Sequence, residues 1–236
     1  MNTSEPSIAV VVVAAGASRR FGADKLFFPL AGIPVLGWSL RALDATPQVA
    51  TIALVLSELN LARGRRLVAR LGLRKVQAIL PGGDRRQDSA RRGLDAVVGS
   101  EWVAIHDGAR PFVTPDLVGR GFAVARQVGG AVAAVPVKDT IKVVGEGKLI
   151  VRTPPRAGLW AAQTPQIFGY EALLDAYRQN GDADVTDDAE LYERAGKPIA
   201  AYPGSYENLK ITTPEDLALA RAIARRHRHG GGEPWR

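Results

Sequence analysis

Three cations, Arg19, Arg20 and Lys25, follow a loop of small residues, Ala14-Ala15-Gly16-Ala17-Ser18, and the loop ends an apolar, β-branched run that starts at Ile8. A loop without bulky side chains lets an anion approach the backbone, and its N–H groups can form an anion-binding concavity. Cations placed just beyond it face the same anion. The chemistry this pattern suits is the holding of a triphosphate. It is not one of the common phosphate loops. No Gly-Lys-Ser/Thr closes the segment, and Gly16 and Gly22 alone do not make the three-glycine dinucleotide fingerprint. A plainer reading, a strand followed by a basic surface loop, fits the same letters.

Three further clusters carry chemistry-bearing side chains. In Pro81-Gly82-Gly83-Asp84-Arg85-Arg86-Gln87-Asp88-Ser89 the paired glycines allow tight turns and close approach to a flat ligand, with Asp84 and Ser89 able to hydrogen-bond a base or ribose. The alternative is a simple helix start with Asp84 as its cap. In His106-Asp107-Gly108-Ala109-Arg110-Pro111 the carboxylate of Asp107 suits Mg²⁺, which takes few protein ligands and fills its shell with phosphate oxygens and water. Arg110 offers a fork that matches a phosphate, or an ion pair with Asp107 that shapes the loop. His106 reads as packed beneath this loop. The last cluster is scattered: Thr140, Arg156, Thr164, Thr186 and Lys210. Lys210 stands between Leu209 and Ile211, and alternation along an extended segment turns it away from both, toward a site or simply toward solvent.

The elements that must position these groups alternate in type. Strand patterns cover Ile8–Ala14, Thr51–Leu56, Lys75–Leu80, Trp102–His106 and Ala131–Val135; helical patterns lie near Val35–Ala45, Leu59–Leu71, Gln87–Val98 and Pro115–Gln127. This predicts an α/β fold with a mostly parallel sheet and helices on both faces. Ligands bind such sheets beyond the carboxyl ends of strands. The first and fourth strands end at Ala14-Ala15-Gly16 and His106-Asp107-Gly108, so those ends should line one crevice. Val137–Val144 and Lys148–Thr153 then flank Gly145-Glu146-Gly147 as a β-hairpin, which reads as an arm toward a second subunit or as a surface hairpin. Tyr170–Asn180 and Asp187–Ala195 read as helices, Ile199–Tyr202 and Asn208–Ile211 as strands. Thr213-Pro214-Glu215-Asp216 starts a closing helix over Pro214–Arg226.

At 236 residues a single domain over 1–224 is expected, with the arm at about 137–158 and a basic, frayed tail over 225–236. The net charge is +7, and much of it is local: Arg221, Arg225, Arg226, Arg228 and Arg236 stand against Glu233 alone near the C-terminus. Such a tail could touch nucleic acid, but a solvated terminus accounts for it and no nucleic-acid partner is expected. With no cysteine, disulfides, thiolate zinc sites and a cysteine nucleophile are excluded. No signal peptide or membrane span is predicted, and a cytoplasmic location is expected.

Seven segments together resemble one family, the 2-C-methyl-D-erythritol 4-phosphate cytidylyltransferases: AAGASRRFGADK (14–25), PGGDRRQDS (81–89), HDGARPF (106–112), PVKDTIK (136–142), RAGLWAAQTPQIF (156–168), VTDDAELYE (185–193) and ENLKITTPEDLALA (207–220). They occur in the family's order. The resemblance implies a Rossmann-like nucleotidyltransferase fold with a protruding β-hairpin arm, a homodimer, Mg²⁺ or another divalent cation, and transfer of CMP from CTP to methylerythritol phosphate. It implies that Arg20 and Lys25 stabilise the α-phosphate. Ala14, Ala15, Gly16, Gly83, Asp84 and Ser89 would hold cytidine, and Asp107 would sit near ribose and metal. Arg110, Thr140, Arg156, Thr164, Thr186 and Lys210 would serve the acceptor phosphate, with Arg156 and Thr140 reaching across the dimer. Two residues depart from the family's habit: Ser18 stands where glycine is usual, and Gly108 where alanine is frequent. Rival readings are a ribitol-phosphate cytidylyltransferase, a sugar-1-phosphate nucleotidyltransferase and a non-catalytic CTP-binding module.

Overall fold

A computed structural model describes residues 6–16, 24–181 and 183–229; for Arg228 and His229 only the backbone is described. In chain order the elements are β1 (Ile8–Ala14), a short pair β2 (Pro29–Leu30) and β3 (Ile33–Pro34), α1 (Val35–Ala45), β4 (Val49–Leu56), α2 (Leu61–Leu71), β5 (Val76–Pro81), α3 (Arg86–Asp95), β6 (Trp102–Asp107), α4 (Pro115–Val128) and β7 (Gly130–Pro136). There follow β8 (Val143–Val144), β9 (Ile150–Arg152), β10 (Trp160–Gly169), α5 (Tyr170–Asn180), α6 (Asp188–Arg194), β11 (Ala200–Pro203) and α7 (Pro214–His229).

The sheet is organised around β1. Every residue of IAVVVVA is buried, as a β-branched run without polar interruption requires of a central strand. Its side chains divide between two cores by strict alternation. Ile8, Val10, Val12 and Ala14 join α1, α2 and α4 on one face. Ala9, Val11 and Val13 join α3, α5 and α6 on the other. The sheet order is β11-β7-β10-β6-β1-β4-β5. β1 pairs in parallel with β4 and β6, β4 with β5, and β7 with β11. β10 runs antiparallel to both β6 and β7. The chain builds outward from β1 through β4 to β5, then returns to place β6 on the other side of β1. That reversal leaves a crevice between the carboxyl ends of β1 and β6, where Val13 and Asp107 lie side by side in register.

A third cluster, of Trp38, Phe112, Ile211, Leu217, Ile223 and neighbours, fastens α7 over α1. The Trp38 and Phe112 rings meet edge to face at 5.7 Å, and the indole N–H donates to the Leu30 carbonyl at 2.8 Å. This cluster matters for the site because it buries Ile211 completely, next to Lys210. Burial of that one side chain contributes roughly 1.5–3 kcal/mol.

Several expectations need correction. β10 has no counterpart in the sequence reading. Asn208–Ile211 is not a strand, although Ile211 N–H bonds the Ala109 carbonyl at 2.9 Å. The hairpin is far shorter than expected: Val143–Val144 pairs only with Ile150–Arg152. α3 stops at Asp95 rather than Val98. α7 continues to His229, so residues 225–229 are helix and not frayed tail. Arg226 and His227 both reach Glu207, and the His227 ring stacks on Phe112. The tail beyond residue 229 lies outside the described residues.

Candidate active site

A crevice of about 680 Å³ opens at the ends of β1 and β6. Its walls include Ala14, Ala15, Gly16, Lys25, Gly83, Asp84, Ser89, Asp107 and Lys210, nine of the residues singled out from sequence. Four separate segments therefore converge, and the alternation of elements predicted the meeting of two of them, the ends of β1 and β6. The loop after β5 sits against the loop after β1 because Gly82 has no side chain. A Cβ there would fall 2.3 Å from the Ala15 Cβ and 2.5 Å from the Ser89 hydroxyl. Ser89 in turn accepts the Gly83 N–H at 3.1 Å and fixes the glycine turn on α3. Asp84 does not cap that helix. The role falls to Asp88, whose carboxylate accepts the Arg85 N–H at 3.1 Å, and Asp84 stays exposed on the crevice rim.

Asp107 is the electrostatic centre. Its carboxylate faces Lys210 Nζ at 2.9 Å, Arg86 Nε at 3.4 Å and Arg110 Nε at 3.6 Å. Burial opposes its ionisation, but Arg86, Lys210 and Arg110 together hold it well below the usual carboxylate range. Its backbone N–H donates to the Thr164 hydroxyl at 3.0 Å. Lys210 is half-exposed and turned from Leu209 and Ile211 toward this carboxylate. The direction matches the alternation argument even though no strand forms there.

Other predicted residues lie elsewhere. Arg110 is buried behind Asp107, donates from Nη1 to the Asn208 carbonyl at 2.8 Å, and does not line the crevice; the ion-pair alternative is the observed one. Thr164 is buried too, between Asp107 N–H and the His106 ring, and supports the loop from beneath. His106 is fully buried, and burial pushes it down to about 4. Its ring also contacts the Arg110 carbonyl at 3.3 Å, so it is packed under the loop as the sequence suggested. Thr186 is exposed at the start of α6 and donates from both N–H and hydroxyl to the Glu190 carboxylate. Thr140 and Arg156 lie on the exposed arm, outside the crevice walls, and Arg156 donates to the Lys138 carbonyl. Arg20, with Ser18 and Arg19, lies outside the described residues.

Sequence reasoning gave no role to Arg86, Asp188 and Tyr177. Arg86 lines the crevice and donates from Nη1 to Asp188 Oδ2 at 2.7 Å. Asp188 is fully buried and accepts the Tyr177 hydroxyl on its other oxygen. Burial works against the Arg86 charge, yet Asp188 and Asp107 outweigh it and hold the guanidinium firmly protonated. The only signal was that Arg86 and Asp188 sit in motif segments; Tyr177 sits in none. Their meeting depends on how α3 and α6 face each other.

Comparison with known proteins agrees with this geometry. Residues 8–226 match the family model described as IspD: 2-C-methyl-D-erythritol 4-phosphate cytidylyltransferase. A protein of that name from Dehalococcoides mccartyi is 45% identical over 94% of this chain and 97% of its own length. Another from Pelotomaculum thermopropionicum is 45% identical over 92% of this chain and 93% of its own. Among solved structures, 4-diphosphocytidyl-2C-methyl-D-erythritol synthase from Anaerococcus prevotii superposes with a TM-score of 0.83 at 27% identity, covering 94% of this chain and 97% of that one. The 2-C-methyl-D-erythritol 4-phosphate cytidylyltransferase of Thermus thermophilus gives 0.74 at 33% identity, covering 93% and 99%. With the family model spanning nearly the whole sheet and every segment of the crevice, the chain belongs to the 2-C-methyl-D-erythritol 4-phosphate cytidylyltransferase family.

Proposed function

We propose that this chain transfers CMP from CTP to 2-C-methyl-D-erythritol 4-phosphate, giving CDP-methylerythritol and pyrophosphate. The observation that carries the reading is the convergence of Lys25, Asp107 and Lys210 with the small-residue loops Ala14–Gly16 and Gly83–Asp84 in one crevice. Such loops suit a flat base and ribose, and the cations suit phosphates. Both reactants are anions, and the acceptor oxygen attacks the α-phosphorus in line with departing pyrophosphate. That oxygen is already deprotonated, so the site needs alignment and charge neutralisation rather than a general base. His106, buried and engaged on both ring nitrogens, is not available as one.

In this reading Lys25, with Arg20, stabilises charge growing on the α-phosphate. Lys210 exchanges Asp107 for a substrate phosphate. Ala14, Ala15, Gly16, Gly83, Asp84 and Ser89 hold cytidine. Thr186 and, from a second copy, Thr140 and Arg156 hold the acceptor; Arg110 and Thr164 act from behind, through Asp107. The donor set fits Mg²⁺ of the kind that rides on substrate phosphates. Asp107 is one ionised carboxylate at the crevice wall, and no group of three metal-binding side chains exists among the described residues. Asp107 would hold such an ion, which would supply positive charge against the charge growing on the leaving group.

A homodimer through the arm is part of this reading. Val144, Leu149, Ile150 and Val151 are each more than half exposed on a short hairpin, the sort of apolar surface a partner covers. No helix among the described residues is long and apolar enough to cross a membrane. The test is pyrophosphate release with Mg²⁺ and CTP, with methylerythritol phosphate or ribitol 5-phosphate as acceptor. Release with the first alone is expected. Release with ribitol phosphate alone would keep the mechanism and overturn the substrate.

A further inference from the structure

The first turn of α3 ties together three parts of the crevice. Gln87 Nε2 donates to the carbonyls of Gly181 at 2.8 Å and Ala183 at 2.9 Å, and Arg85 Nη2 donates to Gly181 at 3.2 Å. These bonds hold the segment between α5 and α6, which carries Thr186, against the helix. Ser89, one turn on, holds the Gly83 loop. Between them Arg86 spans Asp188 and Asp107.

Of the three cations on Asp107, Lys210 is the exposed one, while Arg86 and Arg110 are largely enclosed. Only Arg86 is itself braced by a second, fully buried carboxylate, and that carboxylate is fixed by the Tyr177 hydroxyl. A buried ion pair of this kind is weak as a source of stability, because desolvation offsets most of the attraction. Its better attested use is to specify one arrangement. Here that arrangement is the direction of the Asp107 carboxylate once Lys210 turns to a phosphate.

We propose that Arg86 is a positioning residue: braced by Asp188 and Tyr177, it fixes the Asp107 carboxylate at the crevice wall and so sets the nucleotide in line with its acceptor. The inference rests on the cytidylyltransferase reading and deepens it. Arg86 acts through Asp107, so its removal matters only while Asp107 is a carboxylate.

The test is a double-mutant cycle on the full chain. Arg86→Gln combined with Asp188→Asn replaces the ion pair by two amides and leaves no bare buried charge. It is made with and without Asp107→Asn. Two quantities are read: the equilibrium affinity for CTP with Mg²⁺, and kcat/KM for pyrophosphate release with methylerythritol phosphate. With Asp107 intact, the amide pair is expected to weaken both by about 10–100-fold, the usual effect of removing an outer partner of a site carboxylate. In the Asp107→Asn background the further loss should be under about threefold. Equal losses in both backgrounds, or none with Asp107 intact, would overturn the proposal. Should the amide pair fail to fold, Tyr177→Phe loosens the brace more gently and must show the same dependence on Asp107. Wild-type protein that binds CTP yet transfers nothing would sink the functional reading, while the affinity arm of the cycle would still decide the role of Arg86.

Discussion

The crevice and the arm are built on opposite principles. At the crevice, charged groups are enclosed and cross-braced: Asp107 meets three cations, and Arg86 meets two carboxylates. On the arm, Arg156 and Thr140 are exposed, the hairpin pairs only Val143–Val144 with Ile150–Arg152, and apolar side chains face outward. At its base Tyr206 donates to the Pro136 carbonyl at 2.7 Å while Lys138 lies over its ring at 3.6 Å, so the arm is anchored where it leaves the body. One region is preorganised within a single chain. The other presents its cation outward, where a second copy can use it. On the proposed reading, nucleotide binding belongs to one chain and acceptor binding to two.

Changes in the two regions should therefore fail differently. The largest effect is expected at the crevice. Lys25→Ala should lower kcat by about 10²–10³, the loss typical of one preorganised stabilising group, with little change in thermal stability; a loss confined to KM for CTP would move Lys25 from catalysis to binding. Next is a stability effect with no equivalent on the arm. His106 is held neutral to about 4 in the fold, below its ordinary 6.5. Between those values the unfolded chain takes up a proton and the folded chain does not, so stability falls as pH drops from 6.5 to 4, by about 3 kcal/mol in all. Urea unfolding in metal-free buffer should show that fall, and His106→Asn should remove its share; an unchanged pH dependence would contradict the buried, neutral ring.

The arm should show smaller and more selective effects. Arg156→Ala should raise KM for methylerythritol phosphate by about tenfold or more and leave KM for CTP almost unchanged, as expected from one charge-assisted contact. Equal changes in both constants would return Arg156 to the nucleotide. Smallest for the fold itself, Ile150→Ser with Val151→Ser should shift chain stability within about 0.5 kcal/mol while weakening self-association in sedimentation. A large loss of chain stability would show that the arm serves its own fold.

Much of the crevice was legible because its cause is local. β1, α1 and α5 have the predicted bounds, since their apolar period is unbroken. The meeting of Ala14–Gly16 with Asp107 follows from alternation and parallel pairing alone. β10 escaped because Trp160–Gly169 carries Gln163, Thr164, Pro165 and Gln166 within it, and its register against β7 breaks between Ala162 and Gln166. A proline among three polar residues erases the period-two signal. Arg86 escaped for a different reason. Nothing in adjacent arginines says that Arg85 takes Asp88 while Arg86 takes Asp188, 102 residues away. Arg110 was read as a ligand group because its fork fits a phosphate, and Thr164 through the family resemblance, but both are buried and support Asp107.

The division between one chain and two is tested most directly by mixing subunits. In a two-fold dimer of one Lys25→Ala chain and one Arg156→Ala chain, one site carries both lesions and the other carries neither. The account predicts that the two impaired preparations, mixed, re-associated and assayed with methylerythritol phosphate well below the KM of the Arg156→Ala enzyme, rise to about a quarter of the wild-type rate as mixed dimers form. Mixed dimers that are isolated and still inactive would contradict it, and would place Arg156 in the service of its own chain.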